Sequence, residues 1–177
     1  MFARTPRLTL RPGWPEDAPA LTAAIAHEEV AFRLAKLPWP YTLDHAASWL
    51  RQTPDEGTHA LLVFAHDRGT RADGAPELIG GAGLHPAAGA RGEELEIGYW
   101  LTPAAWGRGY ATEAAGAVVD MARYALGRKR LVSGHFADNP ASGRVLRKLG
   151  FAQTGVEQRD CLARGEQVKC LTFERAL

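Results

Sequence analysis

The sequence predicts an α+β sandwich, a mixed central sheet of about seven strands flanked by helices in the order βααβββαβαββ. Three observations carry that expectation. Short strand-like apolar runs recur between polar turns. Between them lie stretches whose apolar residues return every three or four positions. Proline and glycine punctuate the joins at Leu37-Pro-Trp-Pro, Gly107-Arg-Gly and Arg164-Gly165. With 177 residues, 46% of them hydrophobic and 23% charged, one domain spanning 1–177 with a sizeable core is expected.

Leu8-Thr-Leu-Arg11 reads as the first strand. Pro15 starts a helix with Glu16 and Asp17 in its first turn, and Ala18, Leu21, Ala24 and Ile25 form its apolar face. The prolines of Leu37 to Thr42 break any helix, because the residue before a proline is steered away from αR. Thr42 caps a second helix to about Arg51, with Leu43, Ala47 and Leu50 expected inward. Strands follow at Ala60 to Ala65 and Glu77 to Leu84, joined by the polar turn Asp67 to Ala75, and then at Glu94 to Leu101. A helix from Thr112 to about Arg123 precedes a strand at Arg130 to Phe136. Pro140 opens a helix that runs to Leu149 and stops at Gly150. Two strands, Gln153 to Cys161 and Gln167 to Glu174, close the chain as a hairpin.

The net charge of +1 gives no reason to expect nucleic-acid binding or a polybasic membrane anchor. No run of ~18 apolar residues is present to span a bilayer, and the N-terminus lacks a signal-peptide core. Cys161 and Cys170 are too few for a disulfide framework and lack metal spacing, so no metal is expected and a cytoplasmic location is.

The most specific segment runs from Glu94 to Ala115. A strand carrying two acids leads into Gly107-Arg-Gly109, which opens a helix. Small residues let a ligand approach the backbone, and the first N–H groups of a helix lack intrahelical acceptors, so such a turn binds an anion, most often phosphate. No Gly-Lys-Ser/Thr follows, which excludes a Walker loop. A dinucleotide fingerprint would need a third glycine and a distant acid that are missing.

Trp106-Gly-Arg-Gly-Tyr-Ala-Thr-Glu-Ala resembles the acyl-CoA turn of the GNAT superfamily of N-acetyltransferases, in the variant of its RimJ/RimL-like branch. The superfamily pattern is Gln/Arg-x-x-Gly-x-Gly/Ala. Gly109 and Ala111 match its last two places, and Trp106 stands at the first. Asp138-Asn-Pro-Ala-Ser142 through Lys148-Leu-Gly-Phe151 is similar to the family's other conserved block, so the resemblance covers nearly the whole chain. It implies acetyl-CoA as co-substrate, with the pantetheine arm lying where two strands splay. The amides of Trp106, Gly107, Arg108, Gly109, Tyr110, Ala111 and Thr112 would hold pyrophosphate. The amide near Trp100 or Leu101 would face the thioester oxygen. Asn139 would bond pantetheine or simply cap its helix, and Ser142 would protonate the leaving thiolate or stand as a solvated hydroxyl. Arg144 and Lys148 would reach the 3′-phosphate or form a solvated basic face.

A protonated amine cannot attack a thioester, so an acceptor for its proton is needed. Glu94 and Glu96 point to one face of their strand, where repulsion between them would raise one pKa. Glu94 lies at the strand edge, whereas Glu96 stands where several family members carry a catalytic glutamate. Trp39 and Tyr41, in the proline-braced segment, are candidate acceptor contacts or sheet packing, and His85 and His135 flank the expected cleft. The expected function is transfer of acetyl to a primary amine, by direct attack in a ternary complex. Protein N-termini, ribosomal ones included, and small-molecule amines are the acceptors, and a homodimer is the expected assembly. The alternatives are a non-catalytic acyl-CoA sensor and an aminoglycoside-type modifier. The latter usually has an acidic cleft, and Glu93, Glu94 and Glu96 are the only acids near this one.

Overall fold

Leu8 and Leu10 alternate with Thr9 and Arg11, and the alternation sends both leucines fully into the core on one face while Thr9 and Arg11 take the other, where Arg11 pairs with Asp17. The same period of two, repeated along the chain, builds one sheet. The computed structural model describes residues 1–53, 55–70, 76–87 and 94–177, with the side chains of residues 69 and 70 excepted. Its strands are β1 (Ala3–Arg4), β2 (Leu8–Arg11), β3 (His59–Thr70), β4 (Pro76–Pro86), β5 (Leu95–Leu101), β6 (Arg130–Phe136), β7 (Ala152–Cys161) and β8 (Glu166–Ala176). They lie in the order β1-β2-β3-β4-β5-β6-β8-β7, antiparallel except for β5 and β6. The α+β class holds, with eight strands rather than seven. The extra one, β1, has only two residues, Ala3 and Arg4, paired with Leu10 and Thr9, and so leaves no periodic trace. Of the expected turn from Asp67 to Ala75, β3 takes the part up to Thr70; residues 71–75 lie outside the described residues, as does Glu93.

The helices are α1 (Ala18–Ile25), α2 (Glu28–Ala31), α3 (Leu43–Arg51), α4 (Tyr110–Asp120) and α5 (Pro140–Lys148). On one face of the sheet, α1 buries Ala18, Leu21, Ala24 and Ile25 as its apolar spacing predicts, against Leu62, Phe64 and Leu78. In α3 the phase differs from expectation. Ala46 is fully buried and Leu43 is half exposed, because the helix meets the sheet along the stripe of Ala46 and Leu50. The opposite face carries α4, whose Ala114, Ala115, Val118 and Val119 pack on Leu95, Ile97 and Leu101 of β5. Beyond Asp120 the winding loosens into a π turn, Met121–Ala125. Asn139 caps α5, its Oδ1 accepting from the Ser142 amide at 3.4 Å, and Gly150 follows the helix at φ +80°.

Candidate active site

Strands β5 and β6 pair only at Leu95 with Leu131 and Glu96 with Val132. Beyond Glu96 they part, and across the widening gap the Ser133 hydroxyl donates to the Ile97 carbonyl at 2.9 Å. At the open end of β5 the chain turns through Pro103–Ala105 into Trp106 and then α4. Gly107 and Gly109 sit at φ +74° and +81°, a region costly for any residue with a Cβ, and open space surrounds Gly107. From Gly107 to Thr112 no backbone N–H meets an acceptor among the described residues; Glu113 is the first, bonding to the Gly109 carbonyl at 3.1 Å. These converging free donors at the positive end of a helix form a cradle for an anion. The Tyr110 side chain plays no part in it. That ring is buried, with its hydroxyl donating to Asp67 at 2.7 Å, so only the Tyr110 amide is available. Trp106 also turns inward: its indole N–H donates to the Leu101 carbonyl at 2.8 Å and locks the entry of the turn. Arg108 is exposed, and Ala111 and Thr112 are half-buried in the first turn of the helix.

The turn is braced from behind by Arg7. Its guanidinium donates to Glu113 at 2.7 Å and to the Arg108 carbonyl at 3.1 Å, and lies 4.6 Å from the centre of the Tyr110 ring. Glu113 accepts in addition from the Thr5 hydroxyl at 2.5 Å and the Arg7 amide at 3.0 Å. Burial pushes the Glu113 carboxyl up, but the bonds from Thr5 and Arg7 outweigh it and hold the group below the usual glutamate value.

Alternate β5 residues face opposite ways. Glu96, Gly98 and Trp100 point to the side of α1 and α3; Leu95, Ile97, Tyr99 and Leu101 point to the side of α4 and α5. Glu96 is buried and accepts from Arg159 of β7 at 2.6 Å, and Arg159 also bonds Glu157 at 2.7 Å. His85 lies directly across the β4–β5 ladder from Glu96. Glu94 pairs with Arg130, so each acid has its own arginine in place of the mutual repulsion expected between them. On this face Tyr41 and Trp100 pack on the same apolar cluster, and burial pushes the Tyr41 hydroxyl up. Trp39 is more exposed. The segment after α2 spans the face: Arg33 stacks 4.5 Å over Trp106, while the Phe32 and Ala35 carbonyls accept from Arg164 and Leu162 at 2.9 Å each.

On the other face Tyr99 reaches the start of α5, its hydroxyl 2.9 Å from Ser142 Oγ and 3.1 Å from the Ser142 carbonyl. His135 is buried, with Nδ1 on the Phe136 carbonyl at 2.8 Å and Nε2 against Gly143. Arg144 and Lys148 are exposed. Sequence reasoning missed Arg7, Tyr99 and Arg159. Only Tyr99 leaves a local signal, a hydroxyl on the apolar side of an alternating strand.

The glycine turn with its unbonded amides, the parted strand pair and the capped helix beside them can be set against known proteins. A family model described as an acetyltransferase (GNAT) domain matches residues 7–152. The chain belongs to the GNAT acetyltransferase family. It is 35% identical over 156 residues to the uncharacterized N-acetyltransferase YoaA of Bacillus subtilis, covering 86% of this chain and 83% of that one. The fold is similar to that of RimL, a ribosomal L7/L12 alpha-N-protein acetyltransferase solved with coenzyme A, with a TM-score of 0.80 at 18% identity over 100% of this chain and 98% of that one. It is similar also to spermidine N-acetyltransferase from Vibrio cholerae, solved with CoA and spermine, with a TM-score of 0.77 at 16% identity over 97% and 96%. This GNAT protein is an acetyl-CoA-dependent N-acetyltransferase. The unbonded amides of the turn are the kind of donors that the pyrophosphate of that co-substrate requires. Among the described residues no group of three or more His, Cys, Asp or Glu is placed to hold a metal ion, and no helix is long and apolar enough to cross a membrane.

Proposed function

We propose that this GNAT protein acetylates a primary amine, the α-amine of a protein N-terminus in the manner of the RimJ/RimL branch, by direct attack within a ternary complex in a reducing, cytoplasmic setting. One observation carries the reading. Glu96 and Ser142 come to opposite faces of the same parted strand pair. An amine entering from the side of α1 and α3 meets Glu96, which takes its proton directly or through water. The thioester carbonyl sits in the gap, where backbone N–H groups near Trp100 and Leu101 steady the charge on its oxygen. Ser142 faces the departing sulfur from the side of α5. With the side-chain oxygen of Asn139 engaged in the cap and its backbone N–H donating to the Phe136 carbonyl, its side-chain NH2 group would hold the pantetheine arm.

Direct attack is favoured over an acetyl-cysteine route because Cys161 and Cys170 are both buried, and burial pushes the Cys170 thiol up, away from the reactive thiolate. On the acceptor face, Arg159 bridges Glu96 and Glu157, and these carboxylates are the groups there that a cationic amine could meet. Trp39 and Tyr41 would flank its apolar part, with His85 beside Glu96.

The test is thiol release from acetyl-CoA with a panel of peptides bearing free or blocked N-termini, polyamines and aminoglycosides. Turnover that requires a free peptide α-amine is expected. Turnover confined to polyamines or aminoglycosides would reassign the acceptor. CoA binding by calorimetry without turnover on any amine would make the protein an acyl-CoA-binding module.

A further inference from the structure

We propose that Tyr99 is the proton source behind Ser142, its phenol donating to Ser142 Oγ as that hydroxyl gives its own proton to the departing CoA sulfur. The proposal rests on the acetyl-CoA reading above.

Tyr99 lies on the apolar face of β5 with Leu95, Ile97 and Leu101, where phenylalanine would fill the same space. Desolvating a hydroxyl is costly unless it is bonded, and among the described residues this one bonds at Ser142, in the first turn of α5. Its oxygen stands 2.9 Å from Ser142 Oγ and 3.1 Å from the Ser142 carbonyl. Among the described residues Ser142 Oγ has no other side-chain hydrogen bond, so the two hydroxyls form a pair of which Ser142 is the outer, at the first turn of α5.

A lone serine is poorly suited to protonate a thiolate, because an aliphatic alkoxide is far more basic than sulfur. A phenol narrows that mismatch. Burial pushes the Tyr99 hydroxyl up to about 12, against the smaller opposing effect of its bond to Ser142, so it keeps its proton throughout the neutral range. The step balances as follows. The C–S bond breaks with its electron pair passing to sulfur, the Ser142 proton moves to sulfur, and the Tyr99 proton moves to Ser142 Oγ. Glu96 releases to solvent the proton taken from the amine nitrogen, and the transient tyrosinate takes one proton back from solvent, so the balance closes. The products are amide and CoA thiol, with both hydroxyls restored. The Ser142 carbonyl, also within reach, holds the phenol in place between turnovers.

A pair that donates to sulfur also stabilises the thiolate of bound CoA, which gives a readout independent of turnover. Calorimetry first establishes that CoA binds to wild type, Tyr99→Phe and Ser142→Ala. Thiolate absorbance of the bound CoA is then followed against pH. Wild type is expected to ionise the bound thiol below the pH at which free CoA ionises. Tyr99→Phe and Ser142→Ala should each raise that point by about one unit, a tenfold change in ionisation constant. Replacing Tyr99 by a fluorotyrosine, more acidic and nearly the same size, should lower it further. Tyr99→Phe should also reduce kcat about 10- to 100-fold at unchanged acetyl-CoA KM, within the reach of acid catalysis, and have no added effect in a Ser142→Ala background. Identical bound-thiol ionisation in wild type and Tyr99→Phe, with binding intact, would overturn the proposal. So would additive rate losses in the double variant, or a Tyr99→Phe that loses CoA affinity and thermal stability together. Failure of wild type to bind CoA would instead remove the acetyl-CoA reading, and this proposal with it.

Discussion

Glu113→Gln tests whether the phosphate turn is held in shape by the network behind it. The carboxylate gathers the Thr5 hydroxyl, the Arg7 amide and the Arg7 guanidinium at 2.5 to 3.0 Å, and the same guanidinium reaches the Arg108 carbonyl. Hydrogen bonds to a charged group are worth about 1.5–3 kcal/mol each when desolvated. The Glu113 side chain is 17% exposed but that of Arg7 is 37% exposed, so water screens the ion pair. The glutamine retains partial bonds to Thr5 and the Arg7 amide. The net loss is then about 1–2 kcal/mol, or roughly 2–8 °C in melting temperature for a chain of this size. CoA affinity should fall several-fold as well, because Arg7 ceases to hold the Arg108 carbonyl.

The sign of the pH dependence follows from the carboxyl lying below its ordinary value in the fold, where bonds from Thr5 and Arg7 outweigh burial. Such a group stabilises the protein above the unfolded value of about 4.3, and its contribution is lost as pH falls through the lower, folded value. Thermal melts of wild type and Glu113→Gln should therefore differ at pH 7 and converge as the medium is acidified below about 4. Calorimetry with CoA at pH 7 reports the turn itself. A melting difference that persists unchanged into acid would show that the charge is not its source, and wild-type CoA affinity in the variant would separate the network from the turn.

Other outcomes follow from the site and its supports. Glu96→Gln should slow turnover most at neutral pH and recover in part as alkalinity frees the amine, with acetyl-CoA KM unchanged; a profile parallel to wild type assigns proton removal elsewhere. Gly143→Ala inverts the usual helix rule. Alanine normally gains about 0.5–1 kcal/mol over glycine, but its Cβ would stand 2.6 Å from Nε2 of the buried His135, so a loss of about 1–3 kcal/mol is expected in thermal or denaturant melts. Trp39→Ala should raise the acceptor KM and leave acetyl-CoA affinity in place, whereas a joint loss of melting temperature and both affinities would make Trp39 packing alone.

What the chain discloses locally and what it hides divide along sequence distance. Alternation at Leu8 and Leu10, the helical stripe of Ala18, Leu21, Ala24 and Ile25, and glycine at the two left-handed turn positions are all set by neighbours within a few residues, and each appears in the fold as the sequence implies. Phase is less secure. Rotating a helix by one residue moves a side chain about 100°, which is why Leu43 faces water and Ala46 the core, and why Tyr110, inside the phosphate turn by sequence, sends its ring into the protein. The partnerships at the site belong to the sheet order. Placing β8 and then β7 beside β6 carries Arg159 to Glu96, 63 residues away, and the parting of β5 from β6 leaves Tyr99 facing Ser142, 43 residues on. The N-terminal strands bring Arg7 to a glutamate 106 residues distant. No periodicity marks such pairs. A motif can thus name a turn with free backbone donors, while the residues that brace that turn and neutralise the buried acid become visible only once the strands have taken their order.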